Sequence, residues 1–128
     1  VRIICSDHQP HDGDAKDGPF ASTEPGASGI DTLLPLVLRL VEDEVLPLHR
    51  ALATVTVEPA RLLGLEGGRL GLGGVADLVV VDPVAPWFCT RETLASRGHN
   101  SPFLGWEFSA RATHTLVGGR LIRAADRA

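Results

Sequence analysis

The amino-acid sequence predicts an α/β fold in which one strand, a long polar loop and two or three helices precede small β elements. Three observations predict it. A β-branched run at residues 1–6 is typical of a buried parallel strand, apolar residues recur at helical spacing between residues 30 and 41, and strand-like segments follow residue 75. Because one parallel strand cannot form a sheet alone, we expect its neighbours to come from outside this sequence.

The first strand begins at residue one with Val, in the middle of an apolar run, which is rare for a natural domain. We therefore expect a truncated, processed or mis-started chain. Cys5 lies in this run, and we expect it to be a small buried hydrophobic residue. Residues 12–29 are rich in Gly, Pro, Asp, Ser and Thr and predict a long loop, of the length that is usually functional or disordered.

The first helix is predicted by an apolar stripe that faces a core. The stripe consists of Ile30, Leu33, Leu34, Val37, Leu38 and Val41. Ser28 or Asp31 can cap its start, and Pro35 is tolerable only near the first turn.

Two shorter helices are expected next. The second spans about residues 47–55, with Pro47 suited to its first turn. The third spans residues 58–63, opened by Pro59 and ended by Gly64.

The remaining sequence predicts small β elements. Residues 75–83 indicate a strand, and residues 113–117 and 120–123 indicate a hairpin around Gly118 and Gly119. Residues 84–112, which hold both tryptophans, predict an irregular stretch in which Asn100 and Ser101 hydrogen-bond the loop backbone.

Composition excludes several classes of partner. The net charge of −4 and the absence of a basic run argue against nucleic acid and an anionic membrane surface as partners. The longest apolar stretches are far shorter than the roughly 20 residues of a membrane-spanning helix. We expect a cytoplasmic globular protein.

The residues with chemical potential lie where the first strand ends, in Asp7-His8-Gln9-Pro10-His11. In barrels of alternating strands and helices, the carboxyl ends of the strands build the active site. A carboxylate at this place can bind a metal through one oxygen and take a proton from metal-bound water with the other. The alternative is that Asp7 caps the loop and that both histidines are exposed to solvent.

The sequence resembles the C-terminal portion of the dihydroorotase family of the amidohydrolase superfamily. The similarity runs in register through Ser6–His11, Pro19–Ala21, Pro25-Gly26, Glu58–Leu65, Gly71–Val79, Trp87, Ser96, Gly98, Asn100–Phe103, Gly105 and Thr115–Gly119. The Asp-His-x-Pro-His and Asn-x-Pro-Phe blocks are the specific ones and point to the dihydroorotase and allantoinase branch.

The resemblance implies the end of a (β/α)₈ TIM barrel at residues 1–65 and part of a small β-sandwich subdomain at residues 66–128, with the irregular loop 84–112. It implies a reversible cyclisation of N-carbamoyl-L-aspartate to L-dihydroorotate in pyrimidine biosynthesis. Asp7 would be catalytic and a metal ligand, whereas His11, Pro25 and Gly26 would bind the substrate. No role is implied for His8.

The cofactor implied is zinc, held in a full-length parent whose other ligands are absent from this sequence, so we expect the 128-residue chain alone to be inactive. Gln9 replaces a residue that is small in the family motif. Three functions stay open: a dihydroorotase, a non-catalytic homologue that is a structural partner of aspartate carbamoyltransferase, and an allantoinase-like hydrolase. An oligomer is expected in each case.

Overall fold

The fold is described from a computed structural model in which residues 1–124 are placed. Within that range the helices are α1 (Leu33–Glu42), α2 (Leu48–Ala53) and α3 (Val57–Leu63), and the strands are β1 (Leu78–Asp82), β2 (Trp87–Phe88), β3 (Glu107–Phe108), β4 (Arg111–Val117) and β5 (Arg120–Ala124). No helix in this part of the chain is long and apolar enough to cross a membrane.

The strand expected at residues 1–6 is not formed, and this prediction was wrong for the described chain. A strand is defined by its ladder, and none of the five strands lies beside this segment. The Ile4 N–H donates instead to the Thr54 carbonyl oxygen (3.1 Å), at the end of α2. The prediction for Cys5 was also wrong, because this residue is exposed where no neighbouring strand covers it.

The long loop at residues 12–29 contains two short 3₁₀ turns, Gly13–Lys16 and Phe20–Ser22. The first of them is tied across the loop, since the Lys16 ammonium donates to the Glu24 carbonyl oxygen. The loop is thus more ordered than its composition indicates.

Helix α1 confirms the apolar stripe from Leu33 to Val41 but not its predicted start or cap, because Ile30 lies before the helix and is 59% exposed. It begins at Leu33, so Pro35 falls in the first turn, where its missing N–H has no helical partner to lose. Thr32 occupies the cap position, but its hydroxyl donates to the Gly29 carbonyl oxygen (3.3 Å) and accepts no bond from the helix. Neither predicted residue caps the helix: the Ser28 hydroxyl is buried without a partner among the described residues, and Asp31 bonds a distant loop.

Helices α2 and α3 lie close to their predicted positions. Pro47 is the residue before α2 rather than part of its first turn, and the helix ends at Ala53, where the Thr54 hydroxyl donates to the Ala51 carbonyl oxygen (2.7 Å). Gly64 ends α3 with a φ of 67°, the left-handed conformation that glycine adopts without strain.

The predicted hairpin is confirmed and belongs to a three-stranded antiparallel sheet in the order β1-β4-β5. Gly118 and Gly119 have φ values of 55° and 78°, the two positive angles that a tight turn of this kind requires. The Asp77 carboxylate accepts a bond from the Gly118 N–H (2.7 Å), which anchors the turn to the start of β1.

The stretch at residues 84–112 is not wholly irregular, because β2 pairs antiparallel with β3. This ribbon encloses a small core of Cys89, Leu94 and Phe108, against which Leu36, Trp87 and Phe103 pack. The core thus joins α1 to the ribbon and fixes the loop between β2 and β3 beside the N-terminal segment.

Candidate functional site

Two segments that the sequence singled out lie side by side. His8 and Ala27 form an isolated parallel bridge, and the Gln9 N–H donates to the Ala27 carbonyl oxygen at 2.8 Å. A side chain on Gly26 would overlap the Gln9 side chain, and the φ of 104° at Gly26 also disfavours any other residue. The close approach of residues 7–11 to residues 25–27 therefore depends on a glycine at position 26.

His11 contacts the Pro25-Gly26 turn directly. Its Nε2 lies 2.8 Å from the Pro25 carbonyl oxygen, and because a carbonyl oxygen only accepts, Nε2 carries the proton. The ring is half-buried. While this bond is made, Nδ1 is the only ring nitrogen that can face an anion, and it has to take up a proton before it can donate to one.

Asp7 is exposed and has a φ of 44°, a left-handed conformation that aspartate tolerates better than most residues. Its carboxylate accepts one side-chain bond, from the Gln9 amide nitrogen at 3.4 Å, and no backbone N–H within residues 1–124. The alternative that Asp7 caps the loop is therefore wrong. The structure leaves this carboxylate open for chemistry.

His8 supports the loop rather than offering a ligand atom. Its Nδ1 accepts from the N–H groups of Gly29 and Ile30, both at 3.2 Å. A neutral imidazole with an accepting Nδ1 carries its proton on Nε2, so neither ring nitrogen keeps a free lone pair for a metal. The alternative that both histidines are solvent-exposed is also wrong, because His8 and His11 are half-buried and bonded.

A third segment, residues 95–101, lies across the other two. The Asn100 side chain accepts from the His11 N–H (2.8 Å) and donates to the carbonyl oxygens of Gln9 (3.1 Å) and Gly26 (3.3 Å). The prediction that Asn100 bonds the loop backbone is confirmed. Its partners were not predicted, because they lie between 74 and 91 residues away along the chain and no local pattern identifies them.

Ser101 also bonds as predicted, its hydroxyl accepting from the Phe103 N–H at 3.3 Å. This bond closes a turn within the loop, whereas the Asn100 side chain bonds the segments at residues 7–11 and 25–27. The two residues therefore have different tasks, although they are neighbours in one motif.

The residues described do not complete a metal centre. A zinc site needs three or four ligands, and no group of three or more His, Cys, Asp or Glu side chains within residues 1–124 can hold an ion. Asp7 has an open carboxylate and can supply one ligand. No reaction step through a metal can be derived from this chain.

Comparison with known proteins identifies the family. The sequence model described as the amidohydrolase family matches residues 17–123. The chain is 48% identical over 121 residues to the "Dihydroorotase-like protein" of Pseudomonas aeruginosa, covering 94% of this chain and 28% of that protein. It is 44% identical over 122 residues to the dihydroorotase of Geobacter metallireducens, covering 95% and 29% of the two chains.

Solved structures show the same fold. The D-hydantoinase (dihydropyrimidinase) from Thermus sp. superposes with a TM-score of 0.88 at 25% identity, over 97% of this chain and 28% of that one. The dihydropyrimidinase from Brevibacillus agri superposes with a TM-score of 0.85 at 21% identity, again over 97% and 28% of the two chains.

The chain spans less than a third of the length of these relatives, whose shares of 28% and 29% leave most of each relative unmatched. The matched portion nevertheless includes nearly all of this chain. The chain belongs to the amidohydrolase family, is similar to the dihydroorotases within it, and has the α/β fold of part of a (β/α)₈ TIM-barrel amidohydrolase.

Proposed function

We propose that this chain is part of a dihydroorotase of de novo pyrimidine biosynthesis, a zinc-dependent cyclic-amide hydrolase that interconverts N-carbamoyl-L-aspartate and L-dihydroorotate. The observation that carries the proposal is the contact of His11 with Pro25, beside a solvent-open Asp7. It brings together the residues to which the family motif gives substrate and proton-transfer roles.

Each residue has a task that its geometry allows. Asp7 holds and releases the proton that ring opening and closure transfer, because its carboxylate is free of backbone donors. His11 binds the substrate carboxylate through the ring nitrogen that does not face Pro25. The backbone of Pro25 and Gly26 meets the ring of the substrate, which glycine permits because it lacks a side chain.

Zinc, when bound in a full-length parent, lowers the pKa of a bound water to about 7 and so supplies hydroxide at neutral pH. Asp7 would give it one oxygen ligand. The remaining ligands, and strands that flank residues 1–6, would come from the part of the protein that this chain does not include. We further propose that residues 1–65 belong to the barrel and residues 66–128 to the small β subdomain.

A non-catalytic role is the second candidate, and Gln9 favours it. Its amide bonds the Asp7 carboxylate, and its Oε1 lies 2.5 Å from where a side chain on Gly26 would begin. Gln9 thus occupies space between the proton carrier and the proposed substrate turn. In this alternative the parent is an inactive homologue that stabilises aspartate carbamoyltransferase.

The test is dihydroorotate hydrolysis by the full-length protein with zinc, before and after Asp7→Asn. We expect a loss of about 10²- to 10⁴-fold in kcat, the usual contribution of a positioned acid or base. Asp14→Asn is the matched control, since Asp14 is also an exposed carboxylate of this region but has no part in the site. An inactive, metal-free parent that co-purifies with the transcarbamoylase would support the second candidate instead.

A further inference from the structure

The loop at residues 95–101 is the element that joins the proposed substrate-binding residues to each other. It lies between β2 and β3, outside the part of the chain that holds Asp7 and His11. At its start, the Asp31 carboxylate accepts from the N–H groups of Ala95 (3.0 Å) and Ser96 (3.2 Å). The loop is therefore fixed to the start of α1 before it reaches the site.

Gly98 permits the close approach of this loop. A side chain at Gly98 would overlap Pro10 and would lie 2.7 Å from the His11 backbone nitrogen. The backbone of Pro10 cannot yield as a flexible side chain can, so the loop and the segment at residues 7–11 pack backbone to backbone.

Asn100 makes use of this approach with both ends of its amide. The oxygen accepts from the His11 N–H, while the nitrogen donates to the carbonyl oxygens of Gln9 and Gly26. Its backbone oxygen also accepts from the Ser28 N–H at 3.3 Å. One side chain thus holds both segments, one on each side of the His11 contact with Pro25.

Only asparagine and glutamine carry an NH₂ donor and a carbonyl acceptor on one amide group, and glutamine is longer by one methylene. Aspartate keeps the shape and the acceptor but turns the donor into an oxygen facing two carbonyl oxygens. Position 100 therefore requires asparagine both for its size and because its amide donates on one side and accepts on the other.

We propose that Asn100 is a positioning residue that sets the distance between His11 and the Pro25-Gly26 turn and thereby determines affinity for the substrate. The proposal rests on the proposed function, because it takes His11 and this turn as the substrate-binding elements. Asn100 itself need not touch the substrate, and the carboxylate of Asp7 is outside its hydrogen bonds.

The test compares Asn100→Ala, Asn100→Asp and Arg97→Ala in the full-length protein, with dihydroorotate as substrate. We expect KM to rise about 10- to 100-fold in both Asn100 variants, because small misplacement of binding groups is costly, while kcat and zinc content change less than about threefold. Arg97 is exposed and makes no side-chain bond among residues 1–124, so its variant should behave as the unaltered protein. A KM within twofold in the Asn100 variants, or a fall in kcat alone, overturns the proposal.

Hydrogen exchange separates this proposal from the proposed function. In Asn100→Ala we expect the amide of His11 to exchange about tenfold faster, because it loses its acceptor. The amide of Gln9, which donates to the Ala27 carbonyl oxygen, should also exchange faster, because the side chain that ties the Gln9 and Gly26 carbonyl oxygens together is gone. The amides of Ala95 and Ser96, which Asp31 holds, should not change. If the parent lacks activity, the proposed function fails, yet faster exchange at Gln9 and His11 still supports the positioning role. Unchanged exchange overturns it.

Discussion

Gln9 is placed where one side chain can affect both halves of the proposed chemistry. Its amide bonds Asp7 on one side and its chain packs over Gly26 on the other. The Asp7 contact is long and exposed, so it constrains the carboxylate weakly. The bulk over Gly26 is the stronger effect, because any substrate ring that meets this turn has to displace the glutamine.

We predict that Gln9→Ala raises kcat/KM for dihydroorotate by roughly threefold to tenfold, since the loss of obstruction outweighs one weak hydrogen bond. Gln9→Glu, which keeps the length, should lower it, because a second carboxylate beside Asp7 repels the first. The measurement is steady-state hydrolysis by the full-length protein. If alanine lowers the activity as much as glutamate does, the amide takes part in binding rather than obstructing it.

Cys89 shows how burial alters a titratable residue. Its side chain is fully enclosed in the core beneath the β2–β3 ribbon, and burial raises the pKa of the thiol, opposed by a hydrogen bond from Ser101. Because the folded pKa lies above the unfolded one, the neutral thiol contributes to stability fully below the unfolded pKa. That contribution is lost as the pH rises towards the folded value.

We therefore predict that the unfolding free energy falls between pH 7 and pH 10 by more in the unaltered protein than in Cys89→Val. The unfolded thiol ionises near pH 8.5, about the middle of this range. Urea unfolding at several pH values gives the difference between the two proteins. An equal fall in both would mean that the Cys89 thiol is not the group responsible.

Among the elements, those specified by nearby residues were predicted well. The apolar stripe predicted α1, Gly64 predicted the end of α3, and the glycine pair predicted the hairpin. Each of these patterns acts within a few residues, so the sequence alone was sufficient. The pairing of Trp87 with Phe108 was missed, since the partners of a ladder lie about 20 residues apart and each strand has only two residues. The strand at residues 1–6 failed for the same reason: its ladder needs partners from elsewhere.

The site follows the same rule. The positions of Asp7 and His11 came from a short motif, and Pro25-Gly26 from its resemblance to a family. The contact of His11 with Pro25 and the role of Asn100 depend on how distant segments pack, which no local pattern contains. The resemblance implied no role for His8, and its two backbone bonds could not be predicted because they join residues 21 and 22 positions apart.

In the β4–β5 turn, we expect two substitutions of Gly118 to have opposite effects on stability. Gly118 has a φ of 55° and nothing within 4 Å of the place where a side chain would begin. The effect of a substitution on stability therefore depends on how well the new residue tolerates a positive φ, not on steric overlap. We predict that Gly118→Asn is neutral or stabilising, whereas Gly118→Val destabilises by about 1–2 kcal/mol. Thermal unfolding measures both. Equal effects of the two substitutions would contradict the turn geometry.

At the scale of the whole molecule, the described chain leaves much apolar surface uncovered. The exposed large side chains cluster after α2, where Leu62 is 72% exposed, Leu70 85% and Val75 53%. Strands β1 and β5 each pair on one side within residues 1–124, so both edges of the sheet have free backbone groups. Such edges and patches favour association with other chains.

We predict that the 128-residue chain alone shows no dihydroorotate turnover, binds no stoichiometric zinc and associates as its concentration rises. The reasons are its single candidate ligand and its uncovered apolar surface. Metal analysis after dialysis and light scattering across a concentration series provide the measurements. A monomer with one tightly bound zinc would show that the ligand count is wrong.

The reach of Asn100 back to Gln9, across 91 positions, also dictates when the site is finished during synthesis. While the ribosome is still adding the β1 segment, the histidine and the proline–glycine turn already exist but lack the bonds that Asn100 makes to both. A nascent protein that stalls before residue 100 therefore emerges with its proposed substrate-binding groups present and unaligned. The proposed arrangement of substrate-binding groups is therefore complete only after residue 100 has been translated and has folded back onto residues 9–26.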